Sequence, residues 1–184
     1  MKTAVIFLIA TTAATVTEVS EKKVDIEQSK IAWKGYKVTG NHEGTIDLKE
    51  GTLVFEGDIL KGGNFVVDMT SLTDTDLEGE WKGKLEGHLK SDDFFGVEKH
   101  PTASLAFTDV QKNGDHYTVT GDLTIKNITN SITFDLTVEE NSAKASLKID
   151  RSKFDVRFGS PSFFNDLKDK AIYDEFDLNV SLAF

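Results

Sequence analysis

Apolar and polar residues alternate along most of the chain from residue 30 onward, which is the pattern of β-strands that bury one face. Eight segments carry this period of two and are predicted to be strands: 30–39, 45–58, 64–72, 102–110, 117–126, 132–139, 144–149 and 176–184. Because most links between them are short, neighbouring strands are expected to pair antiparallel. Eight such strands can close into a barrel, which leaves no exposed sheet edge. The pattern therefore predicts an all-β, eight-stranded antiparallel barrel.

Two local signals refine the predicted strands. In the first strand Trp33 and Tyr36 break the alternation, which indicates a β-bulge near Gly35. Between the fourth and fifth strands the dipeptide Asn113-Gly114 favours a two-residue hairpin turn. Both signals fit a sheet that is built from consecutive hairpins.

The segment 74–100 interrupts the alternation and predicts a short helix. Trp81, Leu85 and Leu89 recur at helical spacing, and opposite charges four residues apart lie between them. Three glycines in the same stretch each weaken a helix by ~1 kcal/mol. We therefore expect this helix to form only with Trp81, Leu85 and Leu89 packed on one end of the barrel.

A second insert, 158–170, predicts another short helix. Ser160 is a suitable N-cap, and Pro161 is favoured at the first helical position, so the helix is expected to run through about Leu167. The phenylalanines at 163–164 lie beside it and are candidates for a lid or a mouth. The fold class is thus a barrel with one or two short helical inserts.

Residues 1–14 have the layout of a secretory signal peptide. Lys2 precedes an apolar run, 4–10, that is too short to span a bilayer, and small residues follow it. The alternative for this segment is a first β-strand. The signal-peptide hypothesis predicts an exported protein whose single domain covers 20–184.

Charge and composition exclude several classes of partner. The 184 residues include 21 Lys+Arg and 31 Asp+Glu, which gives a net charge of −10, and no basic cluster occurs. Binding to nucleic acid or to an anionic membrane surface is not expected, because both need clustered Lys and Arg. Stable membrane insertion is not expected either. The absence of Cys excludes disulfides and Cys-based zinc sites. The oligomeric state stays open, a homodimer included.

No residue pattern points to catalysis, a cofactor or a bound metal. P-loop, nucleophile-elbow and dinucleotide-binding motifs are absent, and the four His share no metal-ligand spacing. Residues 74–80 resemble half of a calcium loop, but Leu85 stands where that loop needs a bidentate Glu. His88 and His100 are interpreted as surface or helix-face residues. We predict a protein that is not an enzyme.

Phenylalanine dominates the aromatic residues, with 13 Phe against 3 Tyr and 2 Trp. Six of them occupy predicted strand positions: Phe55, Phe65, Phe107, Phe134, Phe176 and Phe184. Eight-stranded barrels are either filled by side chains or hold one small apolar ligand. The periodicity does not decide between these two interiors.

Residues 87–95, Gly-His-Leu-Lys-Ser-Asp-Asp-Phe-Phe, and 97–103, Val-Glu-Lys-His-Pro-Thr-Ala, resemble the signature of the YceI-like family. Segments 24–44, 121–129 and 149–154 resemble further motifs of that family in the same order. The resemblance implies a lipocalin-like eight-stranded antiparallel barrel in the periplasm of a Gram-negative bacterium. It also implies an elongated apolar cavity for a long-chain lipid, a polyisoprenoid or an isoprenoid quinone, with no chemistry on the ligand.

The resulting hypothesis is a carrier or sequestering protein that buries a lipid tail against the inward strand faces. The candidate lining residues are Trp33, Phe55, Val67, Met69, Leu105, Phe107, Val119, Leu123, Ile125, Phe134, Leu136, Leu147, Phe176, Leu178 and Val180. Arg151 and Arg157 are candidate contacts for an anionic head group, with surface salt bridges as the alternative. Three other functions stay open: a fatty acid or amide binder, a filled barrel that acts as a stress-related interaction protein without a ligand, and an esterase or isomerase. The last would need a polar cluster inside the barrel.

Overall fold

The computed structural model describes residues 17–184, and the predicted signal peptide, 1–14, lies outside this range. The strands within it are β1 (Val19–Lys23), β2 (Asp25–Lys37), β3 (Gly40–Glu56), β4 (Ile59–Asp74), β5 (Thr102–Asn113), β6 (His116–Ile125), β7 (Ile128–Val138), β8 (Ser142–Asp150) and β9 (Ile172–Ala183). Helix α1 (Gly79–Lys90) lies between β4 and β5. Two 3₁₀ helices, Arg151–Phe154 and Lys168–Lys170, lie between β8 and β9.

Strands β2 to β9 form an antiparallel eight-stranded barrel, which confirms the predicted fold class. Each strand pairs with the next one along the chain, and β9 pairs with β2 to close the ring. Strand β1 is additional and pairs with the far end of β3, from Val19 opposite Glu56 to Lys23 opposite Thr52. It was not predicted because its sequence, VSEKK, has one apolar residue and no alternation.

The antiparallel order places successive connections at opposite ends of the barrel. One end, here named the closed end, carries the tight connections 57–58, 114–115 and 139–141. The other, here named the helix end, carries the β2–β3 and β6–β7 turns, helix α1 and the long connection between β8 and β9. The two ends therefore differ in how much chain is available to cover them.

Side chains fill the closed end. Leu53, Leu60 and Val119 are at most 1% exposed. Tyr117 is buried beside them, and its hydroxyl oxygen accepts a hydrogen bond from the Leu60 backbone N–H at 3.3 Å. This end has the packing of an ordinary hydrophobic core, whose buried apolar area stabilises the barrel.

Both local sequence signals are confirmed. The register between β2 and β9 shifts between Gly35 and Lys37, which is where the alternation breaks. The β5–β6 hairpin pairs Asn113 with His116, so its turn begins at Gly114, which has a φ of 63°. A residue with a Cβ is disfavoured at that angle, which explains the glycine.

Helix α1 confirms the first predicted insert, but its apolar residues have different surroundings. Leu85 and Leu89 are half-buried and face the interior of the barrel. Trp81 is 70% exposed, so its predicted packing on the barrel is wrong. Its ring instead lies 4.8 Å from Nζ of Lys84, a cation–π partner three residues along the same helix.

One carboxylate ties α1 to the barrel. Glu86 Oε1 accepts a hydrogen bond from the Thr73 hydroxyl at 2.6 Å and another from the Asp74 backbone N–H at 2.9 Å. These hydrogen bonds lower the pKa of Glu86 and favour its ionised form. Within the described chain α1 has no fully buried side chain, so the Glu86 hydrogen bonds add to the contacts of Leu85 and Leu89 in holding the helix on the barrel.

The second predicted helix, over 160–167, is wrong, because these residues form turns and irregular chain. The Ser160 carbonyl accepts a hydrogen bond from the Phe163 N–H at 3.2 Å, which closes one isolated turn. Asp166 then has a φ angle of 60°, which a right-handed helix does not allow.

The barrel wall is only partly joined between β7 and β8. These two strands share three residue pairs, all beside the closed end. Toward the helix end, residues 128–135 and 146–150 are not paired with each other anywhere in the described structure. Asn130 Nδ2 spans the far end of this gap by donating to the Lys153 carbonyl at 2.9 Å. We name the unpaired stretch between 128–135 and 146–150 the seam.

Candidate functional site

A cavity of about 320 Å³ lies inside the barrel, between the closed-end core and helix α1. All eight barrel strands contribute apolar side chains to its wall: Trp33, Leu48, Val67, Leu105, Leu123, Phe134, Leu147 and Leu178, one from each strand in order. Leu85 and Leu89 of α1, followed by Phe94 and Phe95, cover the helix end of the cavity. Its volume falls at the lower end of the ~300–1,000 Å³ that is usual for small-molecule sites.

Polar side chains on the described wall are few: Tyr36, Lys37, His42, His88, Ser104, Arg151 and Tyr173. All but Ser104 belong to the elements or connections of the helix end. An apolar interior with a polar group or two at one end is the usual layout of a site for an amphipathic molecule. The cavity therefore has a direction, with an apolar depth and a more polar rim.

All but two of the residues predicted to line a cavity lie on its wall: Trp33, Val67, Met69, Leu105, Phe107, Leu123, Ile125, Phe134, Leu136, Leu147, Phe176, Leu178 and Val180. They share the inward face of the strands, as the alternation predicts. Their contact with a ligand stays a prediction.

Phe55 and Val119 are the two exceptions among the described residues, because both belong to the closed end. The ring centroid of Phe55 lies 6.0 Å from that of Phe184, and the Lys22 ammonium forms a cation–π contact with the Phe55 ring. Val119 is 0% exposed in the closed-end core. Alternation tells which face a residue occupies, but not its height along the barrel axis.

Three aromatic rings form a continuous part of the wall. Phe107 lies 5.4 Å from Phe65 and 5.9 Å from Phe134, measured between ring centroids. Gly63 makes room for one of them, because a Cβ there would lie 2.9 Å from the Phe107 ring. A Cβ on Gly121 would lie 2.9 Å from the Ala106 carbonyl oxygen and 3.0 Å from the Leu105 side chain. These two glycines allow the inner face to carry large side chains without distorting the sheet.

Arg151 lies on the cavity wall, where its contact with a head group stays a prediction, and it is too buried to form a surface salt bridge. It is 2% exposed, and its three guanidinium nitrogens donate to the carbonyls of Val156, Ile172 and Tyr173 at 2.8, 2.9 and 3.1 Å. Burial lowers the pKa of Arg151, and Asp174, 3.5 Å away, opposes that shift. Because its nitrogens hold backbone carbonyls, Arg151 braces the connection between β8 and β9.

Arg157, the other candidate head-group contact, lies outside the described cavity wall. Its Nε donates to the carboxylate of Asp155, and its guanidinium lies 4.9 Å from the ring of Phe163. This is the surface salt bridge that was the alternative interpretation. Phe163 and Phe164 are 40% and 50% exposed and, within the described chain, are not part of the wall either.

His88, interpreted from the sequence as a surface or helix-face residue, is a polar residue of the cavity wall. Its ring contacts Phe94 and Phe158 edge-on, with centroid distances of 5.7 and 4.3 Å. Its Nε2 atom is buried and has no hydrogen-bond partner among residues 17–184. Helical spacing could have found it, because positions 85, 88 and 89 share one face of α1.

The fold and the cavity together define the class of protein: a lipocalin-like antiparallel barrel with an apolar interior. The family model described as the YceI-like domain matches residues 23–184, and the chain belongs to that family. The family resemblance inferred from the motif at 87–95 is thereby confirmed. In the described part of the chain, no helix has both the length and the apolar character needed to cross a membrane.

Curated relatives match over short segments. A UPF0312 protein of Photorhabdus laumondii is 47% identical over 45 residues, which are 24% of this chain and 23% of that protein. Protein YceI of Escherichia coli O157:H7 is 42% identical over 48 residues, which are 26% of this chain and 25% of that protein. The aligned part thus spans about a quarter of each of these relatives.

Solved structures match over nearly the whole fold. BcnA of Burkholderia cenocepacia has a TM-score of 0.72 at 22% identity, covering 88% of this chain and 99% of that one. A polyisoprenoid binding domain from Saccharophagus degradans has a TM-score of 0.59 at 13% identity, covering 90% and 97%. At these identities the likeness shows a common fold.

Proposed function

We propose that this protein binds one long-chain apolar lipid, a polyisoprenoid or an isoprenoid quinone, inside the barrel. It would act as an exported carrier or sequestering protein in the periplasm and leave the ligand chemically unchanged. The observation that carries the proposal is the cavity, whose wall takes apolar side chains from all eight barrel strands. The structural neighbour from Saccharophagus degradans, described as a polyisoprenoid binding domain, supports the same ligand class.

The energetics favour a hydrocarbon tail. Burial of apolar surface contributes ~25 cal/mol per Å², so a tail that buries several hundred Å² gains several kcal/mol before the costs of ordering it. The aromatic wall of Phe65, Phe107 and Phe134 offers broad, rigid surfaces for such contacts. A charged or strongly polar tail would have to give up its hydration without receiving hydrogen bonds in the depth of the cavity.

His88 is the group we propose for the ligand's polar head. Its Nε2 atom has no hydrogen-bond partner in the described part of the chain, and the residue lies on the wall at the helix end. A quinone carbonyl or a terminal hydroxyl could form one hydrogen bond there, while the tail extends toward the closed end. This orientation would place the head near the rim and the tail in the apolar depth.

The alternatives differ in what the cavity would contain. A fatty acid or an amide would use the same tail contacts with a different head group. A filled barrel that acts as an interaction protein fits less well, because side chains fill the closed end but leave a cavity of about 320 Å³ beside α1. The cavity therefore favours a binding function over a purely structural interior.

The deciding experiment is to purify the protein from the periplasm of its native host, extract it with organic solvent and analyse the extract by mass spectrometry. One prenyl lipid or quinone per protein molecule is expected. A stoichiometric fatty acid or amide would change the ligand class. Folded protein with no bound lipid would contradict the proposal, and recovery from the cytoplasm alone would contradict the proposed export.

A further inference from the structure

We propose that His42, Asp74 and Asp76 form a binding site for a divalent transition-metal ion such as Zn²⁺ at the rim of the cavity. One ring nitrogen of His42 and one carboxylate oxygen of each Asp lie within 4.8 Å of one another. His42 lies on β3 and is also part of the cavity wall, Asp74 ends β4, and Asp76 follows it. The pairing of Gly44 with Asp74 across β3 and β4 brings the three side chains together.

An unpaired buried oxygen points to a ligand at this place. Asp74 is 0% exposed. Its Oδ1 accepts a hydrogen bond from the Leu77 N–H at 2.7 Å, but its Oδ2 is buried without a hydrogen-bond partner among residues 17–184. A buried carboxylate oxygen without a partner is unfavourable, because it has lost its hydration and gained nothing. A cation in the cluster would supply the missing partner.

The neighbouring contacts hold Asp76 in position. The Glu43 N–H donates to Asp76 Oδ1 at 2.8 Å, and His42 Nδ1 lies 3.0 Å from Asp76 Oδ2. Burial raises the pKa of Asp74; for Asp76 the effect of burial is outweighed by hydrogen bonds from Glu43 and His42, which lower its pKa. These contacts fix the Asp76 carboxylate beside the His42 ring, next to the buried Asp74 oxygen.

The ligand types select the kind of ion. An imidazole nitrogen with two carboxylates suits Zn²⁺ and similar transition metals, whereas Ca²⁺ and Mg²⁺ prefer oxygen ligands alone. Three protein ligands leave a fourth position on a tetrahedral ion for water or another small group. The nearby Lys34 ammonium is paired with Glu43 at 3.0 Å, so its charge is already balanced.

The test is isothermal titration calorimetry, in which chelator-treated protein is titrated with ZnCl₂. One equivalent is expected to bind and to raise the unfolding temperature, since the ion binds only the folded site. His42→Gln and Asp74→Asn should each weaken binding at least about tenfold. Asp74→Asn keeps the shape of the side chain, and circular dichroism checks that both variants are folded.

His116→Gln is the matched control. His116 lies 3.1 Å from Asp115 and 3.9 Å from Asp135, but these groups are exposed and belong to the closed end. Zinc binding should be unchanged in this variant. Failure of the unaltered protein to bind zinc would overturn the proposal. The proposal would also be overturned if His116→Gln lowered the affinity for zinc while His42→Gln and Asp74→Asn left that affinity unchanged.

We also infer, on the basis of the proposed lipid-binding function, that the seam between β7 and β8 is the route by which an apolar chain reaches the cavity. Ile132 and Phe134 on β7 and Leu147 and Ile149 on β8 all belong to the cavity wall. They stand on the two strands that border the seam, so its inner edges are apolar. Among the described residues, widening the seam breaks no hydrogen bonds between paired strands. Every other pair of neighbouring barrel strands is hydrogen-bonded over a longer stretch.

Because the chain contains no Cys, a disulfide can be placed across the seam without interference. Asp135→Cys with Ser146→Cys joins the two strands one position beyond the Leu136–Ala145 pair, on the outer face. Thr137→Cys with Lys144→Cys is the matched control, because these residues are already paired. A short bis-thiol reagent can bridge either pair where no direct disulfide forms.

The rate at which dansyl-labelled farnesol binds is measured by stopped-flow fluorescence before and after reduction. Oxidation of the seam pair should slow association by about one order of magnitude, while oxidation of the control pair should not. Equal rates in the bridged and the reduced seam variant would contradict the route and leave lipid binding intact. Absence of binding in the reduced variants and the unaltered protein would instead contradict the proposed function.

Discussion

The closed end and the helix end are built from the same alternating strands, yet one is a core and the other a cavity. At the closed end Leu53 and Val119 are 0% exposed, because tight turns hold the strand ends close together and side chains fill the space between them. At the helix end inward residues such as Val67 and Leu105 stay half-buried, since they face the cavity. Alternation thus determines which side chains point inward, and the connections determine whether the space between them is filled.

The cover of the cavity is less well packed than the closed end. Helix α1 has no fully buried side chain in the described structure, and it covers the cavity with half-buried residues and the hydrogen bonds of Glu86. The connection between β8 and β9 at the same end is well packed, since Phe154 and Val156 are at most 1% exposed. Regions with few buried contacts open more easily than a packed core. Helix α1 is therefore the part that we expect to move during ligand exchange.

The largest effect is expected from truncation at the closed end. Leu53→Ala removes a fully buried side chain and should lower the free energy of unfolding by ~2–5 kcal/mol. Leu105→Ala, the same change on the cavity wall, should lower it by about 1 kcal/mol, because one side of Leu105 already faces a cavity. Urea denaturation of lipid-free protein measures both. Equal losses of unfolding free energy in the two variants would show that the closed end and the cavity wall are equally well packed.

A charge in the aromatic wall should affect binding more than folding. Phe134→Asp is expected to weaken binding of a prenyl lipid by ~2 kcal/mol or more, about 30-fold, since the carboxylate is desolvated by the tail. Fluorescence titration measures the affinity, and circular dichroism checks the fold. Phe163→Asp, at a position 40% exposed, is the control and should bind normally. Unchanged affinity in a folded Phe134 variant would remove Phe134 from the site.

The proposed head-group contact predicts a smaller effect. His88→Leu should weaken binding of a prenyl alcohol or quinone by up to ~1.5 kcal/mol, about tenfold, and leave a prenyl hydrocarbon unaffected. Competition against a fluorescent probe compares the two ligands. His116→Leu, an exposed histidine at the closed end, is the control. An equal loss for both ligands would assign His88 to packing.

The smallest effect concerns the attachment of α1 and depends on pH. The pKa of Glu86 is lower in the folded protein than its ordinary value of 4.5, mainly through the Thr73 hydroxyl. Its contribution is therefore fully present above pH 4.5 and is lost as the pH falls through the lower folded-state value. Glu86→Gln should cost about 1 kcal/mol at pH 7 and less at pH 3, measured by urea denaturation. The control Glu80→Gln, 79% exposed, should show no such dependence.

Local rules predicted the parts of the fold that depend on local chemistry. Strand alternation, the bulge at Gly35 and the hairpin at Asn113-Gly114 each follow from a few neighbouring residues. The inward faces followed in the same way, which is why most predicted lining residues lie on the wall. These features needed no knowledge of distant contacts.

Features that depend on distant residues were not predicted. Three carbonyls from residues later in the chain hold the Arg151 guanidinium, and no local pattern shows this. Phe55 and Val119 point inward as predicted, yet lie at the wrong height. No sequence pattern marks the seam, because apolar and polar residues alternate equally well in β7 and β8 where the two strands are paired and where they separate. Positions along the barrel axis and the extent of pairing are set by the whole sheet.

The barrel closes through the pairing of β2 with β9, and this pairing has consequences for folding. Around the barrel, every pairing joins strands that follow each other in sequence, except that β2 meets β9, with Ile31 opposite Val180. Hairpins between consecutive strands form quickly, whereas contacts between distant segments form late, because the loop entropy must be lost first. The cavity exists only after this last step. A ligand that binds the finished cavity would therefore stabilise the β2–β9 contact by mass action and keep the two ends of the chain together.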